Sequence, residues 1–185
     1  MANKEPQGPR ANEELLPDLP PGVKLLRTLE GHKDAVFSVA VDPQGETLAS
    51  GSDDNTVKLW EAQSGKLLRT LEGHKGAVNS VAFDPQSGTL ASGSDDNTVK
   101  LWETQSGKLL RSLEGHQSAI PSIAFDPRGG TLASSSVNRT VTLWEAQSGR
   151  LLRSLEGHQS VVVSVAFDPQ GGTLASGSYD ETVKL

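Results

Sequence analysis

Histidine, serine and aspartate, the residue types of a hydrolytic triad, occur together repeatedly along the 185 residues of this chain. In such a triad the aspartate orients the histidine, and the histidine takes the proton of the serine nucleophile. The histidines here recur at a constant interval, at His32, His74, His116 and His158. A nucleophile site is built once, and no Gly-x-Ser-x-Gly turn is present to expose a nucleophile between a strand and a helix. The repetition favours a structural role and predicts that the chain is not an enzyme.

Metal chemistry is equally poorly supported by the sequence. Histidines so far apart form no His-Glu-x-x-His motif, and the stretch 53–56, Asp-Asp-Asn-Thr, lacks the alternating ligands and the glycine of a calcium loop. The chain contains no cysteine, which excludes disulfides and thiolate ligands. We therefore expect neither a metal nor another cofactor.

The composition of the chain argues against some classes of binding partner. Lysine and arginine number 17 against 23 aspartates and glutamates, so the net charge is −6, which argues against non-specific nucleic-acid binding. The start of the chain, MANKEPQGPRANEE, lacks the apolar core of a signal peptide, and no stretch reaches the roughly 18 apolar residues of a membrane span. We expect no nucleic-acid partner, no membrane partner and a cytoplasmic location.

The interval between the histidines is the period of almost the whole sequence. Each histidine ends a Leu-Glu-Gly-His motif, and Leu-Trp recurs at Trp60, Trp102 and Trp144, so a fourth tryptophan would fall at position 186. Residues 1–22 lie outside the pattern, hold five of the ten prolines and are predicted to form a flexible tail. The predicted units, the last one clipped, are residues 23–64, 65–106, 107–148 and 149–185.

The elements that must position these residues are short strands, separated by turn sequences such as Asp42-Pro43-Gln44-Gly45. The second strand is apolar on both faces, which predicts that it lies sandwiched between neighbouring sheets. Each unit is thus expected to contribute to an all-β protein of small antiparallel four-stranded sheets. The strands predicted in the first unit are residues 24–29, 35–41, 47–52 and 56–60.

A period of about 40 to 45 residues, with four strands and a Gly-His and Leu-Trp pair per unit, resembles the WD-repeat β-propeller family. The resemblance covers residues 24–185 and includes registered copies of Asp-Pro, Leu-Ala-Ser and Thr-Val-x-Leu. One departure is that glutamate follows each tryptophan, at Glu61, Glu103 and Glu145, where the family has aspartate. The residue remains acidic and lies after the strand.

The resemblance implies that histidine, serine, aspartate and tryptophan of each unit form a buried structural hydrogen-bond network. Ser52 and Ser94 lie two residues after Ser50 and Ser92, on the same face of the predicted strands, and remain second candidates for the serine of the network. The networks implied are His32, Ser50, Asp54 and Trp60; His74, Ser92, Asp96 and Trp102; His116, Ser134, Asn138 and Trp144; and His158, Ser176 and Asp180.

Two units depart from this pattern. In the third, Asn138 replaces the aspartate, and we expect it to accept a hydrogen bond from the histidine without contributing a charge. This blade is therefore expected to be the least stable of the three complete blades. In the fourth, the tryptophan position lies beyond Leu185, and we expect the last strand to fray.

Four blades are fewer than the seven or eight usual in this family, and closing four would require about 90° of turn per blade. Each unit begins with an outer strand, so residues 24–29 of one copy are suited to complete the last blade of another. The prediction is a homodimeric eight-bladed ring. The alternatives are a part of a longer array and a monomer closed as four strained blades.

Positions at which the repeats differ are candidates for function. We call one repeat position, taken across the four repeats, a column. The resemblance implies that two variable columns line the mouth of the propeller channel, where a peptide with an apolar anchor and a basic residue would bind. The alternative is sequence drift at unconstrained positions. The chain is therefore predicted to be a protein-interaction scaffold, or else a purely structural, engineered or fragmentary assembly with no ligand. The partner-binding candidates are Phe37, Asn79, Pro121 and Val163, and Asp53, Asp95, Val137 and Tyr179.

Overall fold

A computed structural model describes residues 24–185, so the predicted tail lies outside the described residues. The chain divides into two units, and the boundary between them lies after Glu30. The described part of the first unit, residues 24–30, forms no strand, and Leu25 and Leu26 are exposed. The strand predicted at residues 24–29 is therefore wrong. Its counterparts in later repeats pair with the blade of the preceding repeat, and residues 1–22 contain no copy of the repeat.

The unit of residues 31–185 is built from antiparallel sheets, each of which is one propeller blade. The strands follow one another across each sheet in chain order. Blade 1 comprises β1 (Val36–Val41), β2 (Thr47–Ser52), β3 (Val57–Glu61) and β4 (Leu67–Leu71). Blade 2 comprises β5 (Val78–Phe83), β6 (Thr89–Ser94), β7 (Val99–Glu103) and β8 (Leu109–Leu113).

The last two blades are shorter. The fourth has three strands, because its outer strand is absent from the described residues, and β15 is two residues long. Blade 3 comprises β9 (Ile123–Phe125), β10 (Thr131–Ser135), β11 (Val141–Glu145) and β12 (Leu151–Leu155). Blade 4 comprises β13 (Val162–Phe167), β14 (Leu174–Ser178) and β15 (Val183–Lys184). The architecture is thus an all-β, four-bladed propeller.

The blades are offset from the sequence repeats. Blade 1 takes β1, β2 and β3 from the first repeat and its outer strand, β4, from the second. The turn between β2 and β3 requires a left-handed residue at one position, which is Asn55 in blade 1 and Asn97 in blade 2, with φ of 66° and 67°. The same position holds Arg139 and Glu181 in blades 3 and 4, with φ of 74° and 67°. These residues adopt that conformation at a higher energetic cost than asparagine does.

A β-bulge in the inner strand changes which side chains share a face. Val36 pairs with Ser52 and Ser38 pairs with Gly51, so Phe37 is the extra residue. The bulge brings Val36 and Val39 to one face, whereas strict alternation would place them on opposite faces. The counterparts Val78 and Val81 are buried against blade 1.

The hydrophobic cores lie between blades rather than within them. One core joins Leu59 and Leu71 of blade 1 to Trp102 of blade 2, and the next joins Leu101 and Leu113 of blade 2 to Trp144 of blade 3. Trp102 and Trp144 therefore each close the junction with the preceding blade.

The two end faces of this series of blades do not cover each other. Val39 on β1 is 65% exposed, so the prediction that this strand is sandwiched is wrong for blade 1, which has no earlier blade against it. On blade 4, a Cβ atom added to Gly177 would meet nothing within 4 Å. The described chain is thus not closed on itself. Within residues 24–185 there is also no helix long and apolar enough to cross a membrane.

Candidate functional site

The histidine of blade 1 is held between a carboxylate and a serine. Nδ1 of His32 lies 2.8 Å from Oδ2 of Asp54, and Nε2 lies 2.7 Å from Oγ of Ser50. The indole Nε1–H of Trp60 donates to the same Ser50 oxygen at 2.8 Å. A carboxylate only accepts, so the proton belongs on Nδ1, and Nε2 accepts from the serine hydroxyl. Every polar atom of the network thereby has a partner.

Blade 2 repeats this geometry. His74 lies 2.8 Å from Asp96 and 2.7 Å from Ser92, and Trp102 donates to Ser92 at 2.8 Å. The second-candidate serines are elsewhere: Ser52 donates to the carbonyl of Asp34 and accepts from the N–H of Asp54, which fixes the turn.

Hydrogen bonds keep these aspartates ionised. Burial alone would raise the pKa of Asp96, but the hydroxyl of Thr98, the N–H of Lys75 and the ring of His74 all donate to it and lower the pKa to about 2. In blade 1, burial opposes the same kinds of hydrogen bond at Asp54, and its pKa is also well below the usual range. Burial lowers the pKa of His74, an effect that Asp96 partly offsets. The network of blade 2 therefore combines a neutral His74 with an anionic Asp96.

The distances match those of a serine hydrolase triad, yet the surroundings do not. Ser50 and Ser92 are buried, and each hydroxyl oxygen already accepts the indole N–H. A substrate carbonyl has no approach to a nucleophile enclosed in this way. The arrangement can hold the loop before the inner strand, the turn after β2 and the tryptophan together, which is a structural task.

Blade 3 has a shortened network. His116 lies 2.6 Å from Ser134, and Trp144 donates to Ser134 at 2.8 Å. In the described part of the chain no hydrogen bond joins His116 to Asn138, so the expectation that Asn138 accepts from the histidine is wrong. Asn138 has one acceptor oxygen, and Thr140 donates to it at 2.7 Å, whereas an aspartate has a second oxygen for the histidine. Burial without a carboxylate lowers the pKa of His116 to about 4.

Blade 4 retains the contacts of the histidine with both the aspartate and the serine. His158 lies 2.8 Å from Asp180 and 2.9 Å from Ser176. The side chain of Thr182 donates to Asp180 and lowers the pKa of this carboxyl, with further hydrogen bonds outweighing the effect of burial. Ser176 is buried, and within residues 24–185 no indole donates to it.

Comparison with known proteins bears on this fold and these networks. The sequence pattern of the family described as "WD domain, G-beta repeat" matches residues 23–61, 65–103, 107–145 and 149–185. The chain belongs to this WD-repeat family. No grouping of three or more histidine, cysteine, aspartate or glutamate side chains suited to a metal ion occurs among residues 24–185 of this WD-repeat chain.

Individual relatives of this WD-repeat chain match over short stretches. It is 48% identical over 62 residues to a ribosome biogenesis protein BOP1 homolog of Drosophila virilis, a match covering 29% of this chain and 8% of the relative. It is 41% identical over 61 residues to the ribosome biogenesis protein ERB1 of Yarrowia lipolytica, covering 29% and 7%. It is 42% identical over 59 residues to the pre-mRNA-splicing factor prp46 of Aspergillus fumigatus, covering 32% and 13%. The chain thus spans a small fraction of these relatives' length.

The variable columns of the WD repeats lie at one end of each sheet. Phe37 is the bulge residue near the start of β1, and Asp53 follows the end of β2, with its N–H bonded to the carbonyl of Ala35 at 2.9 Å. In blade 2 the two columns touch, because the amide of Asn79 donates to Asp95 at 2.6 Å.

The apolar residues of these columns do not form one cluster within the described chain. Phe37 and Val137 are exposed on different blades, and Tyr179 is 71% exposed. No ring contact in residues 24–185 involves Phe37 or Tyr179. Pro121 precedes β9, which has three residues where β1 has six. Pro121 and Val163 are partly buried, as is Asn79.

Sequence reasoning missed a second recurring contact, which joins neighbouring blades. Ser38 accepts a hydrogen bond from the N–H of Val81 at 3.1 Å, and Ser80 accepts one from Ile123 at 3.1 Å. Ser122 accepts one from Val165 at 3.3 Å. The signal was present as a serine at the same position of every repeat, but the bulge that aligns it with the next blade cannot be read from alternation.

Proposed function

We propose that this chain is a non-enzymatic protein-interaction scaffold, and that its two exposed end faces join those of a second copy in an eight-bladed ring. One observation carries the assembly: blade 1 and blade 4 expose the two complementary halves of the junction that the chain uses between its own blades. Membership of the WD-repeat family supports the scaffold role.

The internal junction is a close fit between a glycine and two apolar side chains. A Cβ atom on Gly51 would lie 2.8 Å from Cγ1 of Val78 and 3.2 Å from Cγ1 of Val81. A Cβ atom on Gly93 would lie 2.8 Å from Cγ2 of Ile120. At these two junctions glycine permits the close approach of neighbouring sheets, and the third junction has the buried Ser135 at the same repeat position.

The two exposed end faces carry residues at the same repeat positions as those that form the internal junction. Blade 4 presents Gly177 and Ser164, and blade 1 presents Val36 and Val39. Within the described chain no N–H donates to Oγ of Ser164, whereas its counterparts each accept one from the next blade. A second copy placed with its blade 1 against this blade 4 would supply that donor from Val39 and bury both valines against Gly177.

The edge of blade 4 has a matching complement. β15 lacks the outer strand that pairs with the third strand in the other blades. Residues 24–29 read KLLRTL, identical to residues 66–71, which include the outer strand β4 of blade 1. The same segment of a second copy would pair with β15. Two such junctions related by a two-fold axis would close the ring and leave neither end exposed.

The assembly is tested by Gly177→Val, compared with the unchanged chain by light scattering after size exclusion. A side chain at Gly177 meets open space in one chain, but would clash with Val36 of a second copy. We expect the unchanged chain to have twice the mass of the variant, with the same circular dichroism and melting temperature for a dilute, dissociated sample. Equal masses for the two proteins would refute the assembly.

The relatives' names support the scaffold role in another way. They refer to ribosome biogenesis and pre-mRNA splicing, which are processes and not single reactions. We propose that the variable columns bind a short peptide that carries an apolar anchor and a basic residue, and that Asp53 and Asp95 face this basic residue. A cytoplasmic location and the absence of a nucleic-acid partner are parts of the same proposal.

Peptide binding is tested with an array of short peptides that each contain one aromatic or branched apolar residue and one lysine or arginine. We expect a subset to bind, and Asp53→Ala to lose them without a change in melting temperature. Glu46→Ala is the matched control, because it removes an exposed charge from the turn at the opposite end of β1. If no peptide binds, or if both variants bind alike, the alternative of a purely structural assembly without a ligand is favoured.

A further inference from the structure

We propose that the groove between blades 2 and 3 binds an extended peptide segment in which an apolar residue stands between a basic and an acidic residue. The groove is a cavity of about 490 Å³. Ligand sites in proteins are usually cavities of roughly 300 to 1,000 Å³ with an apolar lining and a few polar groups. The side chains that decide the chemistry of this groove are Asp84, Thr89, Leu101, Leu110, Arg111 and Ala146.

The groove lies at the opposite end of the sheets from the variable columns. Asp84 follows the end of β5 and Thr89 begins β6, whereas Asn79 lies near the start of β5 and Asp95 follows the end of β6. Blades 2 and 3 are both complete, and each has a further blade packed on its other side. Binding in this groove is therefore independent of the assembly and of the peptide site proposed above.

The inner end of the groove has a buried carboxylate without a cation. Asp84 is 7% exposed, and in the described chain its oxygens accept from neutral donors, the N–H of Gln86 at 3.0 Å and the hydroxyl of Ser87 at 2.7 Å. In blade 3 the equivalent carboxylate, Asp126, pairs at 3.1 Å with Arg128, which stands at the repeat position of Gln86. Because buried charges are normally paired, a basic group of a ligand fits beside Asp84.

The outer end of the groove has a guanidinium group that is only partly engaged. Nε of Arg111 donates to the carbonyl of Gln147 at 3.0 Å, and among the described residues its terminal NH2 groups make no hydrogen bond. At the junction of blades 1 and 2, Arg69 instead donates from Nε and from a terminal NH2 group to the carbonyl of Gln105, at 3.0 and 2.6 Å. Guanidinium and carboxylate groups form paired hydrogen bonds, so Arg111 favours an acidic residue of the ligand.

The walls between these two charged groups are apolar. Leu101 of β7 and Leu110 of β8 line one side, and Ala146 of blade 3 lines the other. Leu110 is 44% exposed, so an apolar residue of the ligand would remove it from water. At the junction of blades 1 and 2 the position of Ala146 is taken by Thr104, whose hydroxyl donates to the carbonyl of Gly88 at 2.9 Å. The groove between blades 2 and 3 is therefore the more apolar of the two at this position.

The positions of the two charged groups set the length of the segment. Asp84 follows the inner strand of blade 2 and Arg111 lies on its outer strand, with β6 and β7 between them. Neighbouring strands are about 4.8 Å apart, which places the two backbones about 14 Å apart across the sheet. An extended chain advances about 3.3 Å per residue. Three residues with long charged side chains at both ends therefore span the groove.

The experiment is a titration of the isotopically labelled full chain with the acetylated, amidated tripeptides Lys-Leu-Glu and Glu-Leu-Lys, followed by NMR. We expect the peptide whose direction fits the groove to give saturable shifts at Asp84, Leu110 and Ala146, with a dissociation constant on the order of 1 mM. In that peptide, glutamine in place of lysine should weaken binding roughly 10-fold. Glutamine in place of glutamate should weaken it roughly 3-fold, because Arg111 is exposed. Glycine in place of leucine should abolish the shifts.

Three substitutions, two of them with a matched control, locate the interaction. Ala146→Leu fills the groove and should abolish binding, whereas Thr104→Leu makes the equivalent change at the junction of blades 1 and 2 and should leave binding unchanged. Arg111→Gln should remove the preference for glutamate over glutamine in the peptide, and Arg69→Gln should keep it. Asp84→Asn, which retains an acceptor oxygen, should remove the preference for lysine over glutamine.

Several results would overturn the proposal. They are the absence of saturable shifts with both peptides, equal binding of the glutamine-substituted peptides, and loss of binding in both members of a matched pair. Binding of Nα-acetyl-lysinamide as tightly as the peptide would also overturn it, because Asp84 would then bind a cation alone. Shifts at Asn79 and Asp95 in place of the groove would assign the peptide to the variable columns and overturn this site while supporting the other.

Discussion

Val78 of blade 2 packs against Gly51 of blade 1 so closely that a Cβ atom on Gly51 would lie 2.8 Å from Cγ1 of Val78. Val36 occupies the same repeat position in blade 1, yet it is 49% exposed, whereas Val78 is fully buried. One valine belongs to a core, and its copy belongs to the end face that we propose to be an interface.

This difference predicts unequal effects of the same substitution. Val78→Ala should lower the free energy of unfolding by roughly 2 kcal/mol, because it removes two buried carbon atoms and leaves a cavity. Val36→Ala should leave the free energy of unfolding of the dissociated chain almost unchanged and should instead weaken self-association. Urea unfolding of dilute samples measures the first effect. Equal destabilisation by the two substitutions would show that Val36 is also in a core.

Asn138→Asp should stabilise blade 3. The new oxygen can accept from Nδ1 of His116, as Asp96 does from His74, and we expect a gain of about 1 to 3 kcal/mol at pH 7. Asp96→Asn is the reverse change in blade 2 and should cost a similar amount. Amide hydrogen exchange would localise each effect to its blade, and an unchanged exchange rate in blade 3 would contradict the account of the missing hydrogen bond.

Stability should fall between pH 6.5 and pH 4 because of His116. Its pKa is lowered from 6.5 to about 4 by burial, so in this range the unfolded chain binds a proton that the folded chain does not. The folded state therefore loses stability as the pH falls, by up to about 3 kcal/mol from this residue, and none of this loss is present above pH 6.5. Urea midpoints at pH 7 and pH 5 measure it.

Asn138→Asp provides the control for that pH dependence, because a carboxylate beside His116 should raise the pKa of the histidine and flatten the curve. A second loss of stability should begin only below about pH 4. It comes from Asp96, whose pKa falls from 3.8 to about 2, so its stabilising ionised form persists until the pH approaches 2. A midpoint that does not change between pH 7 and pH 5 would contradict the burial of an uncompensated His116.

Arg139→Asn should stabilise the chain by about 0.5 to 1 kcal/mol, because Arg139 holds a φ of 74° in an exposed turn, a conformation that asparagine adopts at lower cost. Asn55→Arg places the opposite change in blade 1 and should destabilise by a similar amount. Thermal unfolding measures both, and the same sign for the two substitutions would refute strain as the cause.

The sequence predicted most of the fold because the repeats contain redundant signals. Alternating apolar residues, Asp-Pro turns and the Leu-Trp motif placed the strands of residues 47–52 and 56–60 to within one residue of β2 and β3. The histidine, serine and tryptophan of blades 1 to 3 are brought together as the family resemblance implied.

The remainder depends on geometry that residue types do not encode. The bulge at Phe37 places Val36 and Val39 on one face, which a two-residue period cannot predict. The lack of a hydrogen bond between Asn138 and His116 depends on Thr140 donating to the one acceptor oxygen of Asn138, a contact visible only in three dimensions. The exposure of β1 depends on the absence of a neighbouring blade and not on its sequence, which closely matches that of β5.

The most direct test of the central claim is the solution mass of the unchanged chain, measured by light scattering over a hundredfold range of concentration. A closed ring of two copies requires a mass that reaches twice the 19.5 kDa of one chain and rises no further. A mass of 19.5 kDa at every concentration would show that the end faces do not join. A mass that climbs without limit would show that they join in an open chain and not in a ring.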